Sequence, residues 1–150
     1  MYEFLNYCVC DAMTKDPVTL GPEATLAEAE SIFEKRGFNA LPVVGSEGEM
    51  LGLITQLDLL KAFRFTPDSV FPPYTELMQT PVEEVMTPAA AVVTVTPRTP
   101  LTRVLERMVI FRNKSFPVQE DGCVVGMVAR EDLLEALRRA VSGQRVMTPI

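Results

Sequence analysis

The most chemically pointed stretch of the sequence is Gly52-x-x-Thr55-x-x-Asp58. It ends an apolar, strand-like run from Met50 to Thr55 and opens a run whose leucines, Leu57, Leu59 and Leu60, fit one helix with Phe63. A hydroxyl and free backbone N–H groups at a helix start can receive phosphate oxygens. A carboxylate one turn in can accept both hydrogens of a ribose 2′,3′-diol, as acids do in dinucleotide sites. The pair also has a purely structural use, with Thr55 as N-cap and Asp58 complementing the helix dipole. Gly126-x-x-Ala129-x-x-Asp132 repeats the pattern with the hydroxyl deleted and the acid kept. A pair used for capping alone has less reason to keep that acid. Arg130, next to Ala129, is placed to replace part of the missing hydroxyl's role.

Other chemistries fall away on composition. The chain has no histidine, so no Ser-His-Asp or Cys-His device and no histidine metal site is available. Its acids do not form a convincing general acid/base pair, and no nucleophile has a base beside it, so no catalytic residue is assigned. Three cysteines, Cys8, Cys10 and Cys123, are odd in number and argue against a disulfide framework; Cys8-x-Cys10 reads as small apolar packing before it reads as a metal grip. A net charge of −6 disfavours general binding to nucleic acid, while a small anion in a locally basic pocket stays possible. No apolar run is long enough to span a membrane, and MYEFLNYCVC lacks the features of a signal peptide. The expected location is therefore the cytoplasm.

The elements that position the two acids come in two copies. Val9 to Thr14 (VCDAMT) returns as Val82 to Thr87 (VEEVMT), and Val18 to Pro22 (VTLGP) as Val93 to Pro97 (VTVTP). Ala40 to Val44 (ALPVV) returns as Ser115 to Val118 (SFPV), and Gly48 to Phe63 as Gly122 to Leu137. Each copy predicts the same order: a short strand (Val18 to Leu20; Val92 to Val95), then a helix (Leu26, Ala29, Phe33; Leu101, Val104, Leu105, Met108). A strand (Leu41 to Val44; Phe116 to Val118), a tight turn and a second strand (Met50 to Thr55; Val124 to Ala129) follow, before an amphipathic helix (Leu57, Leu59, Leu60, Phe63; Leu133, Leu134, Leu137). Gly37 is placed to stop the first helix. The fold class is α/β (α+β), with two β-α-β-β-α repeats expected to pack together, since about 60 residues bury too little surface to stand alone comfortably. The boundaries are 1–63 for the lead-in and first repeat, 64–81 for a proline-rich linker, 82–140 for the second repeat and 141–150 for a tail. In the linker, Phe65, Val70, Phe71 and Tyr74 are expected to pack, and Tyr74 to Gln79 can form a helical turn or two.

The ordered set resembles the CBS domain family, named after cystathionine β-synthase. It is carried by the entry V-x-x-x-M-T, the pairs Pro42-Val43 and Pro117-Val118, and Gly52 to Leu60 with its counterpart Gly126 to Leu134. The resemblance implies a regulatory pair, not an enzyme. Its sheets would pack about a pseudo-twofold, with a cleft for an adenosine-type ligand (AMP, ADP, ATP or S-adenosylmethionine) between the repeats. In such a pair Thr55 and Asp58 would hold ribose and phosphate, and the base would lie against Val18, Thr19, Leu20, Ala40, Leu41 and Pro42. A second, weaker site would use Asp132 with Arg130, Lys114 and Pro117, Lys114 standing where relatives often place a phosphate-contacting base. The resemblance further implies a homodimer. The alternative is a ligand-free interaction or dimerisation module.

Overall fold

The computed structural model describes residues 2–63 and 74–147. The expected packing of Phe65, Val70 and Phe71, and the last residues of the VMTPI tail, lie outside the described residues. Two compact units emerge, and they cut across the sequence repeats. One is formed by Val18–Val92, the other by Met1–Pro17 with Val93–Ile150. Each lead-in thus joins the sheet of the other copy.

In the first of these units, β2 (Ala40–Val44) and β3 (Met50–Thr55) pair antiparallel, with Ala40 opposite Thr55 and Pro42 opposite Leu53. The other edge of β3 takes β4 (Thr87–Pro88), with Leu53 opposite Thr87 and Gly52 opposite Pro88. Before this hairpin comes α1 (Leu26–Arg36), capped by the Thr25 hydroxyl, which accepts from the Glu28 N–H at 3.2 Å. Gly37 ends it at φ 67°, the left-handed conformation glycine adopts at no steric cost. After the hairpin comes the short α2 (Gln56–Lys61). The core gathers Leu26, Ala29 and Phe33 of α1 with Leu41, Val43 and Ile54 of the sheet, and Val82 from the second copy's lead-in. Further along, α3 (Tyr74–Leu77) supplies the expected helical turn, and Tyr74 stacks on Phe63 at a centroid separation of 5.7 Å.

The second unit repeats the plan. The strand β5 (Ser115–Glu120) pairs antiparallel with β6 (Cys123–Ala129), and the first copy's lead-in supplies β1 (Thr14–Lys15), with Thr14 opposite Met127. Asp121 and Gly122 both have positive φ, 53° and 79°, as a two-residue hairpin turn demands. Two helices flank the hairpin in sequence, α4 (Leu101–Phe111) and α5 (Arg130–Met147). Phe116, Val118 and Val128 are fully buried against Leu101, Val104 and Met108. The closing helix runs past residue 140, where the tail was expected to begin. Among the described residues no helix is long and apolar enough to cross a membrane.

Three local expectations change. The runs Val18 to Leu20 and Val92 to Val95 are not strands of their own. Each contributes one residue in a parallel bridge, Leu20 to Val43 and Val95 to Val118. Leu20 donates its N–H to the Pro42 carbonyl at 2.9 Å and accepts from Val44 at 2.9 Å. Pro17 and Pro22 bracket the first run and Pro97 follows the second; a proline has no N–H with which to extend a ladder. Leu105, counted with the inward face of α4, is 40% exposed. Leu57, Leu60 and Leu134 are also exposed, so the last helix of each repeat buries one side and leaves leucines on the other.

Candidate functional site

At the end of β3 the chain turns into α2 through a reciprocal capping box. The Thr55 hydroxyl accepts from the Asp58 N–H at 3.0 Å, and Asp58 Oδ2 accepts from the Thr55 N–H at 3.0 Å. This arrangement satisfies two of the donors that a helix start leaves orphaned. A third donor arrives from β4. The Thr87 hydroxyl lies 3.2 Å from Asp58 Oδ2 and 3.3 Å from Oδ1. Asp58 is only 6% exposed, and it is the buried charged side chain among the described residues. A buried carboxylate is tolerated because hydrogen-bond donors replace its lost water.

At Gly52 it is a backbone that makes the close approach a glycine permits. A Cβ at this position would stand 2.5 Å from the Thr87 carbonyl oxygen and 2.6 Å from Met86 Sδ. At Gly126 it would stand 2.8 Å from both the Thr14 carbonyl oxygen and Met13 Sδ. The glycine of each G-x-x-[TA]-x-x-D motif therefore admits the Met-Thr lead-in of the other copy. The two recurring motifs are contact partners across the repeats.

The second copy keeps half of the box. Asp132 Oδ2 accepts from the Ala129 N–H at 2.7 Å, while Ala129 has no hydroxyl to return the bond. Asp132 is half-buried, and desolvation holds its carboxyl above the usual carboxylate pKa despite that hydrogen bond. Thr14, which corresponds to Thr87, is exposed.

The remaining predicted residues divide between surface and core. Thr19 is exposed and Val18 half-buried, while Leu20, Ala40, Leu41 and Pro42 are buried; Leu20 and the Pro42 carbonyl are joined by the bridge described above. Leu20 and Leu41 belong to the core of their unit. In the second copy Pro117 is buried in β5 and Lys114 is exposed. Arg130 points back to the end of α4, donating to the Arg112 carbonyl at 3.0 Å and the Asn113 carbonyl at 3.2 Å. That pairing closes off two C-terminal carbonyls with a cation, a favourable match to the helix dipole. Arg112 and Arg130 also edge an apolar groove of about 380 Å³ between α4 and α5, floored by Leu105, Met108, Leu133 and Leu137. Cys8, Cys10 and Cys123 form no disulfide among the described residues.

Sequence reasoning missed Thr87. Its signal was present in the recurrence of Met-Thr at Met13-Thr14 and Met86-Thr87, but nothing in one dimension shows which carboxylate that threonine meets.

Comparison with known proteins places this geometry. The CBS domain family matches residues 9–64 and 82–139. An A-adding tRNA nucleotidyltransferase of Aquifex aeolicus is 29% identical over 136 residues, covering 91% of this chain but 15% of the enzyme. The chain therefore corresponds to a small part of that protein. Among solved structures, a proposed acetoin utilization protein (AcuB) of Vibrio cholerae superposes with a TM-score of 0.80 at 26% identity, covering 95% of this chain and 98% of the other. The CBS domain pair of protein MJ0100, solved in complex with 5′-methylthioadenosine and S-adenosyl-L-methionine, gives a TM-score of 0.69 at 29% identity, covering 92% and 98%.

Proposed function

Because the chain belongs to the CBS domain family, with two copies of the domain, we propose that it is a regulatory module that binds an adenosine-type ligand and signals by a change of conformation. The observation that carries this reading is the strand-to-helix turn at Thr55–Asp58, echoed at Ala129–Asp132. Each presents a carboxylate in the first turn of a helix, at its third residue, where a ribose diol can replace or join its backbone partner. The 29% identical MJ0100 pair, with its two adenosyl compounds, supports the ligand class. A ligand acts on such a module only through unequal affinity for its conformations, so binding and signalling are one equilibrium. Titration of the purified chain with 5′-methylthioadenosine, S-adenosylmethionine, AMP, ADP and ATP tests the reading. Saturable binding of at least one supports it, and silence from all at millimolar concentration removes it.

A second reading has its own observation. Val109, Ile110 and Phe111 of α4 and Leu134 of α5 are more than half exposed. Apolar side chains grouped on neighbouring helices favour a self-complementary contact, and twofold closure is the commonest outcome. In this reading the chain works as a homodimer, with or without ligand, and a regulated partner protein would be reached through the dimer. The two readings are compatible, and they separate on whether adenosine compounds change the protein at all.

A further inference from the structure

Resting on the adenosine-ligand reading, we propose that Thr87 is a gate on the first site: its hydroxyl holds the Asp58 carboxylate that a ribose needs, so the ungated Asp132 site fills first. The two acids are equivalent in sequence but not in hydrogen bonding. Asp58 accepts from the Thr55 N–H and from the Thr87 hydroxyl and is buried. Asp132 accepts from the Ala129 N–H and is half-buried, with Thr14, the counterpart of Thr87, exposed. A ribose diol brings two O–H donors, and a carboxylate offers about four lone-pair positions on two oxygens. At Asp132 those positions are largely open. At Asp58 the ribose must first displace the threonine, whose hydroxyl spans both oxygens.

The gate also supplies a route for signalling. Thr87 lies in β4, which pairs with β3 beside the site, and β4 belongs in sequence to the lead-in of the second repeat. Displacing its hydroxyl from Asp58 loosens one tie between that lead-in and the start of α2 in the first repeat. Low ligand then reads out at Asp132 alone, and higher ligand also releases the Thr87 tie. This order reverses the ranking that the intact Thr55/Asp58 motif suggests from sequence.

Isothermal titration of the full chain with 5′-methylthioadenosine tests the gate, using wild type, Asp132→Asn, Asp58→Asn, Thr87→Val and Thr87→Ser. Valine keeps the shape and the β-branch while deleting the donor; serine keeps the donor and must behave as wild type. The gate predicts a tight step that Asp132→Asn weakens roughly tenfold to a hundredfold, the span of one hydrogen bond to a charged group. It predicts that Thr87→Val tightens the weaker step by several-fold, because a competitor for Asp58 has gone. If Thr87→Val weakens binding, or if Asp58→Asn removes the tight step while Asp132→Asn leaves it, the gate is wrong and the adenosine reading stands. If wild type binds none of the adenosine compounds, the reading itself fails and the gate falls with it.

Discussion

Replacing Gly52 by alanine tests the exchange of lead-ins at a single atom. The added Cβ would sit 2.5 Å from the Thr87 carbonyl oxygen, 2.6 Å from Met86 Sδ and 3.0 Å from Met86 Cγ. The methionine end can swing aside, but the carbonyl belongs to a strand paired in register with β3 and cannot retreat without breaking that pairing. Overpacking of this kind costs about 1–3 kcal/mol. For a domain of this length each kcal/mol lowers Tm by about 2–4 °C, so Gly52→Ala should melt roughly 2–12 °C below wild type. Measured against Met86→Ala alone, which carries its own packing loss, Gly52→Ala should cost less than it does in wild type, because the sulfur contact is gone and the carbonyl contact remains. Gly21→Ala is the control, since nothing lies within 4 Å of its Cβ; an exposed substitution there should stay within about 0.5 kcal/mol. Differential scanning calorimetry on these variants decides the matter. If Gly52→Ala and Gly21→Ala melt together near the wild-type temperature, β4 does not lie against β3 and the exchanged arrangement is refuted.

Further expectations follow from the same geometry. Ala129→Thr should complete the capping box of α5 and raise stability by about 1 kcal/mol, roughly 2–4 °C in a melting scan; a fall would mean the helix start has no room for the hydroxyl. Asp132 has a folded pKa raised above its ordinary 3.8, chiefly by desolvation. The folded state therefore holds the proton longer, and stability is lost as pH rises from about 4 through the folded value. The Tm of Asp132→Asn minus that of wild type should accordingly grow over this window and level off above it, whereas a flat difference would contradict the assigned burial. Light scattering should give twice the 16.6 kDa protomer mass, and Val109→Glu with Leu134→Glu should return one protomer mass if the exposed apolar face of α4 and α5 is the contact.

Much of the fold was legible because it rests on local pattern repeated twice. Leu41, Val43, Leu53 and Ile54, with Phe116, Val118 and Val128, are buried, as short apolar runs bounded by turns suggest, while Met127 is only half-buried. Helix boundaries at Gly37 and Thr55 were marked by residues whose backbone freedom or side chains make caps. Failures came where a partner is distant in sequence or absent from the chain. Leu57, Leu60, Leu105 and Leu134 fit a helical period, but periodicity reports an apolar face and not whether this chain covers it. The Val18 to Leu20 run has strand composition, yet the flanking prolines limit it to one bridge. The site was half legible. Thr55 and Asp58 announce a helix start, while the role of Gly52 and the bond from Thr87 depend on a lead-in some 30 residues away crossing to that strand. Lys114 was placed near Asp132 by the family resemblance and Arg130 by its position next to Ala129; in the structure Arg130 turns to the end of α4, where two carbonyls lie within its reach.

The central claim, that this CBS pair binds an adenosine-type ligand, is tested most directly by a thermal-shift titration of the unmodified chain. A ligand at one hundred times its dissociation constant stabilises the state it binds by about 2.7 kcal/mol, which for this length is a rise of roughly 5–10 °C. The account predicts such a rise with at least one of 5′-methylthioadenosine, S-adenosylmethionine, AMP, ADP and ATP, saturating with concentration. A melting curve left unmoved by all five at millimolar concentration would contradict it and leave the dimerisation module as the function of this chain.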